Sequence, residues 1–413
     1  MFTTRRLVTG AALLTSTLLV AAGCTTGGAG APPELTPPNK TRITNGNGTS
    51  WNRSRHIMSA DGRFLVFDSL ATDLVAGVDP NGADTDVFLF DRVAGTTTRL
   101  SNSPETSERA QISSNGAYIV WEQRTQTTSK EIRYTVATGT TEELNNSQDA
   151  SVANDGTVAF ATGAALVPAD TNNFNDVYTI DLAGVPTLHT QGNGNAREVA
   201  ISGDGSTMAV YSEATNLTAD VDNNGSGGDI FLIDTATDIV TRVSNSSQTN
   251  FEGPGGSSLS DDGQYLVFDG MQTDLVAAPD PNGSGFDVFL YSRSSSSTVR
   301  ITSGNDISGY PVISANGNYV ALVSAASNLT VGPDANAGGI DSFIWQRSNA
   351  MFTRMTNGNS LAPDFSGNND AIAGASGISN DGRWVTFSSS ATNLTAGVDN
   401  NGSRLDIFLI DRA

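Results

Sequence analysis

Hydrophobic residues in this chain come in short blocks rather than in long periodic stretches. Runs such as Phe64–Phe67, Val87–Phe90, Ile230–Ile233, Tyr265–Phe268, Val288–Tyr291 and Ile407–Ile410 are apolar at nearly every position, and polar loops separate them. Strands apolar on both faces belong in the middle of a sheet that is itself stacked between sheets. The 3.6-residue period of an amphipathic helix is absent. The blocks also share a frame. A run ending in Ser leads into Asp-Gly or Asn-Gly, a pair suited to the tight turn between antiparallel strands. The first apolar block follows, then a loop of the form A-T-[DN]-L-x-x-x-x-D-x-N-G, then the second block, and finally a polar strand reading T-R-x-[ST].

The frame repeats along the whole chain. Ser59–Arg92 and Ser379–Arg412 align without a gap and share about 20 of about 34 residues. The turn pairs begin at Asp61, Asn115, Asp155, Asp204, Asp262, Asn316 and Asp381, which makes seven units. Four strands per unit, each unit sandwiched by its neighbours, describe the blade of an all-β, seven-bladed β-propeller. The last copy lacks its T-R-x-[ST] strand, and that piece appears at the other end as Thr41-Arg42-Ile43-Thr44. The expected ring is therefore closed by an N-terminal strand completing the last blade, with Thr41–Thr44 beside Ile407–Ile410. A linear solenoid explains neither end.

Residues 1–23 stand outside this scheme. Arg5 and Arg6 precede the apolar segment Leu7–Ala22, which is built like a secretion signal and is short for a membrane span. The segment ends Ala21-Ala22-Gly23-Cys24, which resembles the lipobox of bacterial lipoproteins. That resemblance implies cleavage before Cys24 and lipid on its sulfur. Residues 24–39 are rich in Gly and Pro and read as a flexible tether, and residues 40–413 as the ring.

Charge narrows the partners. The chain carries a net −21 and 43 glycines. A phosphate binder needs a basic stripe, so nucleic acid is not an expected partner. Only two histidines occur, His56 on an inner strand and His189 on an outer one, in different units. A His-based metal centre or a Ser–His–Asp triad is therefore not expected, and no G-x-S-x-G elbow is present. A pair of carboxylates at the channel mouth remains a route to glycan chemistry.

One constellation carries metal chemistry. The loop between the second and third strands recurs as Asp79, Asn81, Asp86; Asp222, Asn224, Asp229; Asp280, Asn282, Asp287; Asp334, Asn336, Asp341; and Asp399, Asn401, Asp406, with a shorter version at Asp170, Asn172, Asp176. Hard cations take six to eight oxygens from such groups, so these are candidate calcium loops. The same residues also suit plain turns, because Asp and Asn bond their own backbone and Gly accepts positive φ. Alternating connections place all six loops on the face that carries the links between blades, with a gap at the second unit, which reads WEQRTQTTSKEIRY instead. Arg42, Arg99, Arg242, Arg300 and Arg354 lie on the outermost strands, and the expectation is that they sit exposed along sheet edges, discouraging edge pairing.

The repeated Ser-x-Asp-Gly, apolar strand, loop and Asp-[IV]-[FY]-x-x-[DN] resemble the PD40 or TolB-type repeat, a WD40-like bacterial propeller. The resemblance implies an exported propeller that binds proteins, with no catalytic residues to carry over. TolB itself has six blades and an added α/β domain, so its cellular role is not transferred. The expectation is thus a lipid-anchored envelope protein, on the periplasmic face or cell surface, acting as a non-catalytic scaffold for a protein partner. The alternative is a glycan-binding or glycan-active propeller using the same loop face.

Overall fold

The computed structural model describes residues 39–413, apart from 52–53, 146, 226, 249–255, 332–338, 357–374, 391–393 and 403. Cys24 and most of the expected tether lie outside the described residues. Among the described residues there is no helix; the strands form seven four-stranded antiparallel sheets. Blade 1 shows the pattern, running Ser50–Trp51, Phe64–Ser69, Asp86–Asp91 and Thr96–Arg99 from the channel outward. Blades 2 to 6 follow in chain order.

Blade 7 joins Ala375–Ile378, Trp384–Ser389 and Asp406–Asp411 to the N-terminal strand Asn39–Arg42. Ring closure by this strand is as expected, but the paired segment starts earlier. Lys40 faces Ile410, Thr41 faces Leu409 and Arg42 faces Phe408. The Ile43 amide then donates to the Ile407 carbonyl at 2.8 Å, so the pairing fades beyond the strand. Asn39, assigned above to the tether, is already in the sheet.

The two apolar blocks of each unit pair with each other and are buried on both faces, as their lack of alternation requires. They place aromatic rings side by side across the strands: Phe67 on Phe88, Phe268 on Phe289 and Phe387 on Phe408, with centroids 5.4–5.5 Å apart. Phe67 and Phe88 also pack with Ile112, Ile119 and Trp121 of blade 2, so the core is a chain of interfaces between blades. Truncating one such ring, as in Phe88→Ala, would cost about 3–5 kcal/mol.

The Ser-x-Asp-Gly turns do two jobs. Within a blade, the Ser59 hydroxyl donates to Asp61 at 2.6 Å and accepts from the Phe64 amide at 3.0 Å, bracing the turn. Gly62 has φ +67°, and a Cβ there would lie 2.6 Å from Trp384 of blade 7. Between blades, the same turns form a hydrogen-bonded hoop. Ala60 donates to Ser114, Asn115 to Asn154, Asn154 to Gly203, Asp204 to Asp261, Asp261 to Ala315, Asn316 to Asn380, and Asn380 back to Ala60. Asp261 also reaches Ser114 of blade 2 with its carboxylate. The channel is thus narrowed at the turn face.

Candidate functional site

The acidic loops and the outer-strand arginines meet, and this corrects the expectation of exposed arginines. The outer strands Asn39–Arg42, Thr96–Arg99 and Ser297–Arg300 alternate exposed and covered positions, and the arginine falls on the covered side, opposite the third-strand Phe. Arg99 Nη2 lies 3.3 Å from Asp79 and its Nε 3.4 Å from Asp86, with the guanidinium 5.6 Å from the Phe88 ring centre. The arrangement recurs in blade 4 (Arg242 with Asp222 and Asp229), blade 5 (Arg300 with Asp280 and Asp287) and blade 7 (Arg42 with Asp399 and Asp406). In blade 6, Arg354 meets Asp341 at 3.2 Å, while Asp334 and Asn336 lie outside the described residues. Exposing the arginine would leave two carboxylates unpaired beside an aromatic ring, which is why it turns inward.

The remaining loop residues complete this clasp. Ser101 donates to Asp86 at 2.6 Å and accepts from the Val87 amide. Asn81, Asn282 and Asn401 donate from their side-chain amides to Glu105, Asp306 and Gly48, stitching the loop to the link between blades. Burial holds Asp229, Asp287 and Asp406 up at about 6, against the pull of their arginines and hydroxyl donors. Calcium does not fit these four loops, because a guanidinium occupies the place between the carboxylates. Asn224 belongs to the same turn in blade 4, bonding back to Asp222 through its backbone amide.

Blades 2 and 3 vary the clasp. Blade 2 reverses it: Lys130 stands at the Asp86 position, and Glu143, at the Arg99 position, meets it at 2.8 Å. Blade 3 keeps Asp170 and Asp176 but has Leu188 at the arginine position, opposite Tyr178. The Tyr178 hydroxyl donates to Asp170 at 2.6 Å, and Thr190 donates to Asp176 at 2.9 Å.

A second set of residues gathers at the channel and was not found from sequence. The inner strands of blades 2, 3, 4 and 6 bulge three residues before their ends, and the bulge residue takes a left-handed backbone. Arg109, Asp149, Glu198 and Tyr310 have φ between 52° and 61°, Gly256 stands at the same position with φ +121°, and His56 is one residue displaced. Side chains resist that conformation at a cost of about 1–3 kcal/mol each, and such strain concentrates at binding and catalytic sites. Carboxylates of the preceding blade hold the bulges: Asp68 accepts from the Arg109 amide at 2.8 Å and Asp269 from the Tyr310 amide at 2.7 Å.

These bulges surround a cavity of about 470 Å³ lined by Arg55, His56, Arg109, Gln111, Glu131, Asp149, Arg197, Glu198 and Gly256, among others. Arg55 crosses the channel from blade 1 to donate to the Pro311 carbonyl at 2.9 Å, over the Tyr310 ring. A Cβ at Gly256 would collide with its guanidinium. His56 bonds Ser258 of blade 5 at 3.0 Å, and burial, with Arg55 beside it, holds its ring down at about 4, so it is neutral. Burial, reinforced by Glu122, pushes Glu131 up to about 8; burial also pushes Glu198 up to about 7, partly opposed by Arg55. Arg109 pairs with Asp149 at 2.8 Å. His189 is far from this group in the fold, held by Thr179 and Asp238 in blade 3. Among the described residues, no three His, Cys, Asp or Glu side chains come together as a metal-binding group.

The sequence signal for the channel set was available. The bulge residue stands four places before the Ser or Ala that opens each turn, and there the copies read Arg109, Asp149, Glu198, Gly256 and Tyr310 within otherwise similar strands. Variation at one fixed position of a repeat marks where function differs from scaffold.

No family model matches the chain, and no curated protein does. Solved structures share its fold. An oligogalacturonate lyase in complex with manganese is 13% identical, with a TM-score of 0.57 over 92% of this chain and 94% of that one. An oligogalacturonate lyase from Vibrio parahaemolyticus is 9% identical, with a TM-score of 0.59 over 92% and 94%. TolB from Acinetobacter baumannii is 15% identical, with a TM-score of 0.44 over 72% of this chain and 64% of that one. At these identities the likeness to the two lyases is one of fold. The protein is a seven-bladed β-propeller.

Proposed function

We propose that this propeller is a binding protein that captures a small anionic, hydroxyl-rich ligand, of the class of acidic sugars, in the channel cavity. One observation carries the reading: the inner strands of successive blades, with Glu131 of the third strand of blade 2, bring three guanidiniums and three carboxyl groups around a single cavity of about 470 Å³, a volume suited to one or two sugar rings. Burial holds Glu131 near 8 and Glu198 near 7, so these two are partly neutral at pH 7 and leave Arg55, Arg109 and Arg197 facing fewer charged carboxylates. Arginine suits planar carboxylates, and the neutral carboxyls with Gln111 offer partners to hydroxyls. The lyases of similar fold are named for an acidic oligosaccharide, which is support by analogy only.

Calorimetry with galacturonate oligomers and with neutral glucose oligomers tests this. Acidic oligomers should bind, and Arg109→Ala or Arg197→Ala should weaken binding at least about tenfold, the effect of one lost charge-assisted contact. Equal binding of neutral and acidic oligomers, or no binding of either, would overturn it.

A second reading, the protein scaffold, has its own support. Val78, Val221 and Val398 stand at the same place in three loops of one face and are 88%, 76% and 78% exposed. Replacing all three with Asp should abolish cross-linking to a protein partner in cell envelopes without touching sugar binding. Envelope location is proposed on the leader and Cys24. Labelled fatty acid should enter the wild type and not Cys24→Ser, and its absence from both would remove the anchor.

A further inference from the structure

Blade 5 brings no side chain to the channel position of the repeat, and a residue of another blade fills the space. Four places before the Ser or Ala that opens each turn the chain reads Arg55, Arg109, Asp149, Glu198, Gly256, Tyr310 and Ala375, so Gly256 is the one glycine of the set. Its φ of +121° lies well beyond the 52–61° of the bulges in blades 2, 3, 4 and 6, in a region that side chains avoid. A Cβ there would collide with Nε and Cζ of Arg55, which comes across the channel from blade 1. Arg55 passes over this gap, donates from Nη1 to the Pro311 carbonyl of blade 6 at 2.9 Å, and lies 5.8 Å from the centre of the Tyr310 ring. His56 crosses beside it to Ser258 of blade 5 at 3.0 Å, and Ser258 in turn accepts from the Ile313 amide of blade 6. Strand alternation sends consecutive side chains to opposite faces. The left-handed backbone of His56, with φ 60°, breaks that alternation, and both side chains reach across.

These two residues stand between the cavity and the turn face. Along the inner strands the cavity-lining residues, such as Arg109, Asp149 and Arg197, come before Ile112, Val152 and Ile201, which line a void on the turn side of His56. That void and a second one, bordered by Met58, Ala60 and Ala315, measure about 10 Å³ each. Each has room for about one water molecule, and beyond them the hoop of turns narrows the channel. We propose, resting on the acidic-sugar reading, that Gly256 positions Arg55 as the floor of the cavity, so that the site takes the end of an acidic oligosaccharide, about two rings deep, rather than the middle of a polymer. A chain entering from the loop face meets Arg55 and His56 and cannot thread further, so only its first rings are enclosed. Longer chains leave their remaining rings in solvent, where they add little to affinity. A side chain at position 256 would push Arg55 into the space of the inner ring. Removing Arg55 would open the space beside Gly256 to a further ring.

Calorimetry on the full-length protein with galacturonate oligomers of increasing length reads the depth of the site. In the wild type, affinity should rise about tenfold from one ring to two, the effect of one charge-assisted contact, and then level off. Gly256→Ala should remove that step and give the dimer the affinity of the monomer, whereas a general loss of packing would weaken every length alike. Arg55→Ala should lower affinity overall and move the plateau to longer oligomers. The double variant Gly256→Ala/Arg55→Ala should follow Arg55→Ala, because the added methyl then meets no guanidinium. Arg55→Ala decides the matter if Gly256→Ala does not fold. Wild-type affinity that climbs with every added ring, a step that survives Gly256→Ala, or an unmoved plateau in Arg55→Ala would each overturn the proposal and leave the acidic-sugar reading standing. A wild type that binds no acidic oligomer would remove that reading and the proposal together.

Discussion

The rim and the channel of this propeller are made from the same repeat and use it in opposite ways. At the rim, Arg99, Arg242, Arg300 and Arg42 sit between carboxylates in nearly the same geometry, and where the residues change, as in blade 2, the opposite charges change together. At the channel the backbone is held constant, with a left-handed bulge in blade after blade, and the side chain placed on it differs each time. Covariation within a closed ion pair preserves an internal contact. Variation on a strained, constant backbone composes a site from unlike groups. The difference separates scaffold from function in a molecule where every blade looks alike.

The sharpest break of the rim is the ring closure itself. Deleting residues 25–46 removes the strand Asn39–Arg42 and with it the Arg42 clasp, leaving Asp406–Asp411 as an unpaired apolar edge. The cooperative thermal transition should be lost and aggregation should rise, whereas deleting residues 25–38 should leave the melt unchanged. Equal melts for the two truncations would mean the seam contributes nothing.

Next is a single clasp. The Arg242 side chain is 0% exposed, so Arg242→Ala leaves Asp222 and Asp229 unmatched and should cost about 3–5 kcal/mol in urea denaturation. Adding Asp222→Asn and Asp229→Asn should recover part of that loss. A cost below 1 kcal/mol for the single variant would reduce the clasp to a surface pair.

The channel should show itself in pH dependence. Glu131, Glu198, Asp229, Asp287 and Asp406 all have folded values above their unfolded ones, so their stabilising protonation is complete below about 4 and is lost as pH rises toward 6–8. His56 works the other way: its folded value is depressed, so its contribution is full above about 6.5 and is lost as pH falls through 4. Melting temperature should therefore peak on the acid side of neutrality. Glu131→Gln should flatten the decline between pH 6 and 8, while Arg242→Ala should lower the whole curve. An unchanged slope in Glu131→Gln would place the titration elsewhere.

The smallest effect belongs to an ion pair outside both regions. Arg383 meets Asp411 at 2.6 Å on the surface, with its side chain 45% exposed. Arg383→Ala should leave the denaturation midpoint unchanged, since solvent screens such a pair. A large loss there would blur the line between clasp and surface.

How much could be read in advance follows from where the information lies. Repeat number, blade order, the buried second and third strands and the ring closure depend on local pattern and on the match between Thr41–Thr44 and the other T-R-x-[ST] strands, all visible in one dimension. The acidic loops were also visible, but their role was not. Whether Asp79 and Asp86 face a metal or an arginine depends on which side of an outer strand Arg99 takes, and that is settled by register against Phe88. The channel site was least legible. Residues 55, 109, 149, 197 and 198 are spread over four blades, and only closing the ring brings them around one cavity. Backbone hydrogen bonding and apolar burial act between neighbours in sequence or in adjacent repeats, so the chain alone determined the blades. Charges meeting across a channel are neighbours only through the closed circle, and that was decided by the tertiary structure.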